Sequence, residues 1–576
     1  MKTSIEKYME AKGKVPEKQR GWPLYGDGVE ALGKDGKPVE LPVGEYSENQ
    51  LLMRIDTVSL CYTDVKEINL GPKHPRLSGR DMANDPIIPG HEVCMTVVGV
   101  GKELQDQYQV GQRLSLQPDV WVDGVSIPFC FGMDGGYRQY AVIGQEILNG
   151  DAGNYLIPVP GDMSYAAAAI TEPWACVEAS YRMEYRDQIQ NGGRMWVVAG
   201  MDAREGYRFD SLFSENRKPA IVFLSNVGEE IRIAFERLSE AFSFTVSEDS
   251  LDSVMDQDMQ FDDILTLDCG RSLIDRVSPA LAKGGVLAIL RERAEEEKIF
   301  INLGRLHYDD IYFVGDTGLD ISKAYKQTEP RVEIKPGGNA WILGAGGPMG
   351  RMHLQRAIES DTGPGLIVAN EVTPDRYESL KNDFAGLAQE HGKELIFLNA
   401  RDEPEKYAQT MQRINDSGGF DDIEVMVTIK PVIADAAQYL AAGGVMNLFA
   451  GLKRGEGIDL DASLMYGSKQ ARLVGHSGSG LDDQKAIVER FVQKQLKPQL
   501  SVAAIGGLNQ IADGIKAMEE WVYPGKIVVY PHVLDYPLTA LHEFAEKDPG
   551  LYRLIEEENC WTKEAEEYFL NKELSE

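Results

Sequence analysis

The feature that most constrains this chain is an internal repeat. Phe261-Asp262-Asp263-Ile264 recurs as Phe420-Asp421-Asp422-Ile423, and Gly284-Gly285-Val286 recurs as Gly443-Gly444-Val445 at the same offset. Gly192-Gly193-Arg194-Met195-Trp196-Val197-Val198 is answered by Gly337-Gly338-Asn339-Ala340-Trp341-Ile342-Leu343. Val314-Gly315 pairs with Val474-Gly475, and Gly318-Leu319-Asp320 with Gly480-Leu481-Asp482. Matches in one order at nearly constant spacing point to a tandem duplication. Each copy alternates apolar strand runs with helical segments, the pattern of a doubly wound parallel α/β sheet.

The rest of the chain reads differently. Residues 1–45 mix Lys, Gly and Pro and suggest a surface arm. From 46 to 190, short runs such as Leu51–Ile55, Glu92–Val100, Arg113–Gln117 and Tyr137–Val142 are broken by Gly and Pro. That is an irregular β-barrel pattern, followed by an Ala-rich helix over roughly Tyr165–Arg182. The expected order is then a first α/β copy at 191–325, a second at 326–505, a return segment at 506–545 packing on the barrel domain, and a helical tail at 546–576. In the tail, Leu551, Leu554, Ile555, Trp561, Ala565, Tyr568 and Phe569 suit an amphipathic helix pair docking on the body or on a partner subunit.

Composition narrows the function. The chain has 576 residues with net charge −32, which leaves no basic surplus to track phosphates and argues against nucleic acid or an anionic membrane. No apolar run reaches about 18 residues and the N-terminus lacks an apolar leader core. Six cysteines without paired spacing suggest a reducing, cytoplasmic setting.

The second copy carries Trp341-Ile342-Leu343-Gly344-Ala345-Gly346-Gly347-Pro348-Met349-Gly350. A strand running into a glycine turn and then a helix lets backbone approach a pyrophosphate at the helix start. The spacing has one residue more than the usual G-x-G-x-x-G. About 20 residues on, Glu371 ends the next strand, where a carboxylate accepts hydrogen bonds from ribose hydroxyls and repels a 2′-phosphate, favouring NAD over NADP. Thr428 and Phe449, at later strand ends, are expected near the nicotinamide amide. The first copy lacks both parts. Its turn, Gly200-Met201-Asp202-Ala203-Arg204-Glu205, is acidic, and its second strand ends Ser225-Asn226. It reads as a degenerate Rossmann-like domain used in assembly or in substrate-side contacts.

Cys61-Tyr62-Thr63-Asp64 follows an apolar strand, and Gly90-His91-Glu92 opens another. A thiolate and an imidazole on neighbouring barrel loops suit a tetrahedral Zn²⁺, with Glu92 or Glu172 (in Thr171-Glu172-Pro173) as the third ligand, or one of them behind it. Cys94, Cys130, Cys176, Cys269 and Cys560 read as structural, and no four-cysteine cluster suggests a second zinc.

These residues resemble a known family. Cys61-x-Thr63-Asp64, Gly90-His91-Glu92, Val110-Gly111-Gln112-Arg113-Leu114, Gly135-Gly136-Tyr137, Glu172-Pro173 and Gly525-Lys526-Ile527-Val528 follow the order found in zinc-dependent medium-chain alcohol and polyol dehydrogenases. Asn84-Asp85-Pro86-Ile87-Ile88-Pro89-Gly90-His91-Glu92, Asn447-Leu448-Phe449-Ala450-Gly451 and Gly475-His476-Ser477-Gly478 look most like the L-sorbose-1-phosphate reductase branch. The resemblance implies a GroES-like β-barrel catalytic domain, a Rossmann domain, zinc, NAD(P) and a homo-oligomer, dimer or tetramer. The structural-zinc lobe is missing, Lys66 stands where the family has a relay histidine, and the first α/β copy is an insertion.

The expected chemistry is hydride exchange between NAD and a secondary hydroxyl or ketone of a polyol, sugar or sugar phosphate. Zinc acidifies the hydroxyl, Thr63 takes its proton and passes it outward through the ribose and Lys66, and Glu92 or Glu172 steadies the metal. An amino-alcohol or simple secondary-alcohol dehydrogenase is the alternative. A non-catalytic scaffold is the reading from another class, disfavoured by the intact Cys61, His91, Glu172 and Glu371.

Overall fold

In the computed structural model the described residues are 3–182, 186–292, 297–326, 333–476, 478–556 and 560–574. They form two units: Met1–Ala179 with Gly347–Met352 and Gly478–Glu576, and Ser180–Gly346 with His353–Ser477.

The first unit is organised by the strand Leu51–Ser59. All nine of its residues are buried, because it lies between other strands of an eight-stranded sheet. Glu92–Val100 and Lys526–Tyr530 both run antiparallel to it, and Tyr140–Ile143 pairs with its start. At its far end Ser59 faces Glu92 on one side and Val528 on the other. This register carries Cys61, Glu92 and Lys526, remote in sequence, to one end of the sheet.

The stretch 1–45 is not a surface arm. Strands Lys18–Gly21 and Val39–Pro42 pair, and Trp22, Leu24 and Leu32 are fully buried in the barrel core. Trp22 Nε1 donates to the Leu508 carbonyl at 2.8 Å. The helix expected over 165–182 is two helices, Tyr165–Ala169 and Thr171–Tyr181. The break puts Pro173 in a first turn, where a missing N–H costs nothing, and brings Glu172 to the start of the second helix. The tail forms helices Pro549–Glu556 and Lys563–Glu573. Trp561 and Phe569 are buried, and the buried Glu566 accepts the N–H groups of Tyr165 (2.6 Å) and Ala166 (2.8 Å) and the Tyr530 hydroxyl (2.8 Å). A carboxylate there satisfies donors a helix start leaves open.

The second unit holds two six-stranded parallel sheets. The first orders its strands Thr245–Glu248, Ile221–Ser225, Arg194–Ala199, Phe261–Leu267, Leu281–Leu290, Tyr312–Asp316. The second orders Glu394–Leu398, Leu366–Asn370, Asn339–Leu343, Phe420–Val425, Leu440–Leu448, Arg472–Gly475. Both follow the doubly wound order 3-2-1-4-5-6. The repeated Phe-Asp-Asp has a structural cause. Its register shifts at the same place in each sheet. Asp262 accepts Arg194 N–H at 2.8 Å and Asp421 accepts Asn339 N–H at 2.9 Å, while Asp263 and Asp422 accept Gln190 and Lys335 N–H. The motif clamps the entry to each first strand.

The two sheets meet through a reciprocal pair. Lys298–Asn302 follows the fifth strand of the first sheet, Gly457–Asp461 follows the fifth of the second, and the two run antiparallel. One apolar cluster, from Trp196 and Phe261 to Trp341 and Phe420, spans both sheets. Equivalent surfaces thus face each other as in a two-fold contact, within one chain.

All six cysteines are free thiols. Among the described residues, no helix is long and apolar enough to cross a membrane.

Candidate functional site

Cys61 leaves the end of strand Leu51–Ser59 and caps the helix Tyr62–Leu70. Asp64 closes the cap by accepting Cys61 N–H at 2.9 Å. The same carboxylate, fully buried, accepts the Tyr137 hydroxyl at 2.7 Å and lies 3.0 Å from His91 Nδ1. Gly90, at φ 94°, sits where a Cβ would collide with the Tyr137 ring, so glycine is required beside His91. With Nδ1 donating to Asp64, His91 has Nε2 left as its ligand nitrogen, the arrangement that orients metal-binding histidines. Burial works against a charge on His91, but the fields of Asp64 and Cys61 outweigh it and hold its pKa well above the ordinary value. Burial likewise opposes ionisation of Asp64, and His91 outweighs it and draws that pKa down.

The ligand atoms of Cys61, His91 and Glu92 all lie within 4.8 Å of one another. Glu92 is fully buried. Its Oε1 accepts from Lys526 Nζ at 2.6 Å, and its Oε2 has no hydrogen-bond partner. An orphaned carboxylate oxygen beside a thiol and an imidazole is a donor set that fits Zn²⁺. Glu172 is buried in the same field: burial first, with Glu92 adding and His91 and Lys526 opposing, pushes its pKa up to about 7. Cys176, one turn along the helix, lies 3.9 Å from Glu172 Oε1. Thr63 is half-buried. Lys66 is exposed, with Nζ 5.6 Å from the Tyr62 ring centre.

Behind His91 lies a second layer that sequence reasoning missed. Cys130 Sγ is 3.8 Å from His91 Nδ1, and Asp64, His91 and Cys130 form a further group with donor atoms within 4.8 Å. Glu67, fully buried, has both carboxylate oxygens without hydrogen bonds. Burial, then the charge of Asp64, pushes its pKa well up. Asp64 and Lys526 lie within the Cys61-x-Thr63-Asp64 and Gly525-Lys526-Ile527-Val528 motifs. Cys130, flanked by two phenylalanines, carried no signal.

In the second sheet the glycine turn begins with Gly344 at φ 88°, where a Cβ would meet Val427 Cγ1 at 2.6 Å. At Gly346 a Cβ would collide with the Glu371 carboxylate, so that carboxylate lies against the turn. Glu371 Oε1 accepts the N–H groups of Val372 and Thr373, each at 2.8 Å, which fixes its side chain. The chain then passes Gly347 into the helix Pro348–Glu359, which contains Met349 and Gly350. Thr428, exposed, and Phe449, half-buried, follow the fourth and fifth strands. Gly344, Glu371, Thr428 and Phe449 therefore all stand at the carboxyl ends of strands, where open α/β sheets bind ligands.

The corresponding edge of the first sheet is filled by Arg204. Its N–H and Nε both donate to Asp268 Oδ2 at 2.9 Å, Nη1 donates to the Thr317 carbonyl at 3.0 Å, and Nη2 reaches the Tyr207 hydroxyl at 2.9 Å. The side chain spans the ends of the fourth and sixth strands.

Residues 47–149 match the alcohol dehydrogenase GroES-like domain. Through this domain the chain is similar to medium-chain alcohol and polyol dehydrogenases. It is 23% identical to a mannitol-1-phosphate 5-dehydrogenase of Aliivibrio fischeri, over 92% of this chain and 93% of that one. It is 23% identical to an L-sorbose 1-phosphate reductase of Klebsiella pneumoniae, over 91% and 92%. The solved 2R,3R-butanediol dehydrogenase of Bacillus subtilis shares its fold, with TM-score 0.51 and 14% identity over 89% of this chain and 99% of that one.

Proposed function

We propose that this chain is a medium-chain dehydrogenase, zinc-dependent and NAD-linked, that interconverts a secondary hydroxyl and a ketone on a polyol, sugar or sugar phosphate. The observation that carries this reading is the buried set of Cys61, His91 and Glu92 with its orphaned Glu92 Oε2. The two relatives named for phosphorylated polyol or ketose substrates support the substrate class.

Zinc would be held by Cys61, His91 and a carboxylate from Glu92 or Glu172, and it supplies Lewis acidity toward an alcohol oxygen. The protein does the rest. Asp64 fixes the His91 tautomer and aims Nε2. Lys526 anchors one Glu92 oxygen and leaves the other for the site. Thr63, two residues after Cys61 on the capped turn, accepts the substrate proton at Oγ1 and relays it outward, with Lys66 exposed on the same helix as the exit. Glu371, held against the glycine turn, accepts ribose hydroxyls and rejects a 2′-phosphate, which selects NAD.

The test is NAD reduction by the zinc-loaded enzyme across free polyols, sugars, their phosphates, amino alcohols and simple secondary alcohols. The expected result is turnover confined to the polyol and sugar classes. Turnover on amino alcohols or simple alcohols alone contradicts the proposed substrate class.

A further inference from the structure

Between residues 62 and 80 the two acidic side chains, Asp64 and Glu67, are buried, and every charge at the surface is basic. Lys73 is paired with Asp27 at 2.5 Å and Arg80 with Asp85 at 3.1 Å. That leaves Lys66, and Arg76 with a single contact to Asp119, in a chain of net charge −32.

His74 and Arg76 both pack on the ring of Phe131. His74 stacks on Phe131, ring centres 4.9 Å apart and planes 19° apart. The Arg76 guanidinium lies over the same ring at 5.2 Å. Phe131 directly follows Cys130, whose sulfur is 3.8 Å from His91 Nδ1. The Arg76 N–H donates to His74 Nδ1 at 3.3 Å, so Nε2 carries the ring proton and is left as a donor. Burial, then the fields of Arg76 and Lys66, lowers the His74 pKa. Arg76 meets Asp119 by one contact of 3.3 Å between side chains that are each at least one-third exposed. Such a pair is weak, whereas a phosphate can take two guanidinium donors at once.

We propose that Arg76 and His74, with the charge of Lys66, form a subsite for the phosphate of a phosphorylated polyol or ketose, with Asp119 yielding Arg76 when the phosphate arrives. The proposal rests on the polyol-dehydrogenase reading above and adds the residues that set the preference for a phosphorylated substrate.

The test has two arms on the zinc-loaded, full-length enzyme and on Arg76→Ala. In the first, thermal unfolding is followed in sodium phosphate and in sodium chloride of equal ionic strength. Phosphate is expected to raise the wild-type midpoint, and the shift is expected to vanish in Arg76→Ala. In the second, kcat/KM is measured for mannitol 1-phosphate against mannitol, and for L-sorbose 1-phosphate against L-sorbose. Wild type is expected to favour the phosphorylated member, and Arg76→Ala to reduce that ratio about 10- to 100-fold, mainly through KM. Absence of a phosphate-specific shift, or a ratio unchanged in Arg76→Ala, overturns the subsite. Turnover of free and phosphorylated forms alike overturns it while the dehydrogenase reading stands. A phosphate shift that depends on Arg76, with no turnover of any polyol or ketose, overturns the dehydrogenase reading and leaves an anion site.

Discussion

Lys526 Nζ lies 2.6 Å from Glu92 Oε1, and neither side chain is more than 4% exposed. The two residues are far apart in sequence and meet because their strands flank Leu51–Ser59 on either side. A buried pair contributes little net stability, but removing one partner strands the other charge. Lys526→Met is therefore expected to cost about 3–5 kcal/mol in urea unfolding. Adding Glu92→Gln is expected to recover more than half of that loss. A double variant no more stable than the single one would show that the stranded carboxylate is not the cause.

Asp64 touches both His91, at Nδ1, and the backbone N–H of Cys61, and would orient the metal site without ligating it. Asp64→Asn keeps the size of the side chain but weakens the acceptor for Nδ1–H. Zinc affinity, measured by competition with a chromophoric chelator, is expected to fall about 10- to 100-fold, while circular dichroism stays unchanged. Affinity within a factor of two of wild type contradicts the orienting role.

The two sheets are expected to differ in cofactor binding. Calorimetric titration is expected to give one NAD per chain. Glu371→Ala is expected to weaken NAD binding and narrow the difference between NAD and NADP. Arg204→Ala, at the corresponding edge of the first sheet, is expected to leave NAD affinity unchanged. Two NAD per chain, or an undiminished preference in Glu371→Ala, contradicts the assignment.

These sheets also show how far the sequence could be read. Strand runs, the glycine turn and Glu371 announce themselves locally, because turn geometry and strand-end chemistry depend on neighbours in the chain. Phe-Asp-Asp was legible as a repeat but not as a clamp, since its partners are backbone N–H groups some 70–90 residues away. The grouping of Cys61, His91 and Glu92 was legible, because each stands at a strand end marked by local sequence. Lys526 as the anchor of Glu92, and Cys130 and Glu67 behind His91, were not, because register and burial place them. Trp22 looked like part of an arm until Leu508, from the far end of the chain, supplied the acceptor for its indole.

His532 is half-buried, and desolvation first, then the charge of Arg54, lowers its pKa to about 3. The folded state holds it neutral while the unfolded chain protonates it below its ordinary value of 6.5. Between pH 6.5 and 3 the unfolded state binds more protons, so this group's contribution to stability is lost as the pH falls. His532→Gln keeps a donor for the Gln139 carbonyl, which His532 Nε2 meets at 3.1 Å. From pH 6.5 to 5, the variant is expected to gain on wild type by roughly 1.4 kcal/mol per pH unit in urea unfolding. A stability difference that does not vary with pH contradicts a neutral imidazole in the folded state.

Cys61, His91 and a buried carboxylate are proposed to hold zinc. The most direct measurement is the metal content of the purified full-length protein by plasma mass spectrometry, beside Cys61→Ser. The expected result is one zinc per chain in the wild type and a loss of most of it in Cys61→Ser with the fold retained. A wild-type protein that takes up no zinc on reconstitution, or a Cys61→Ser protein that keeps its full complement, would contradict the account.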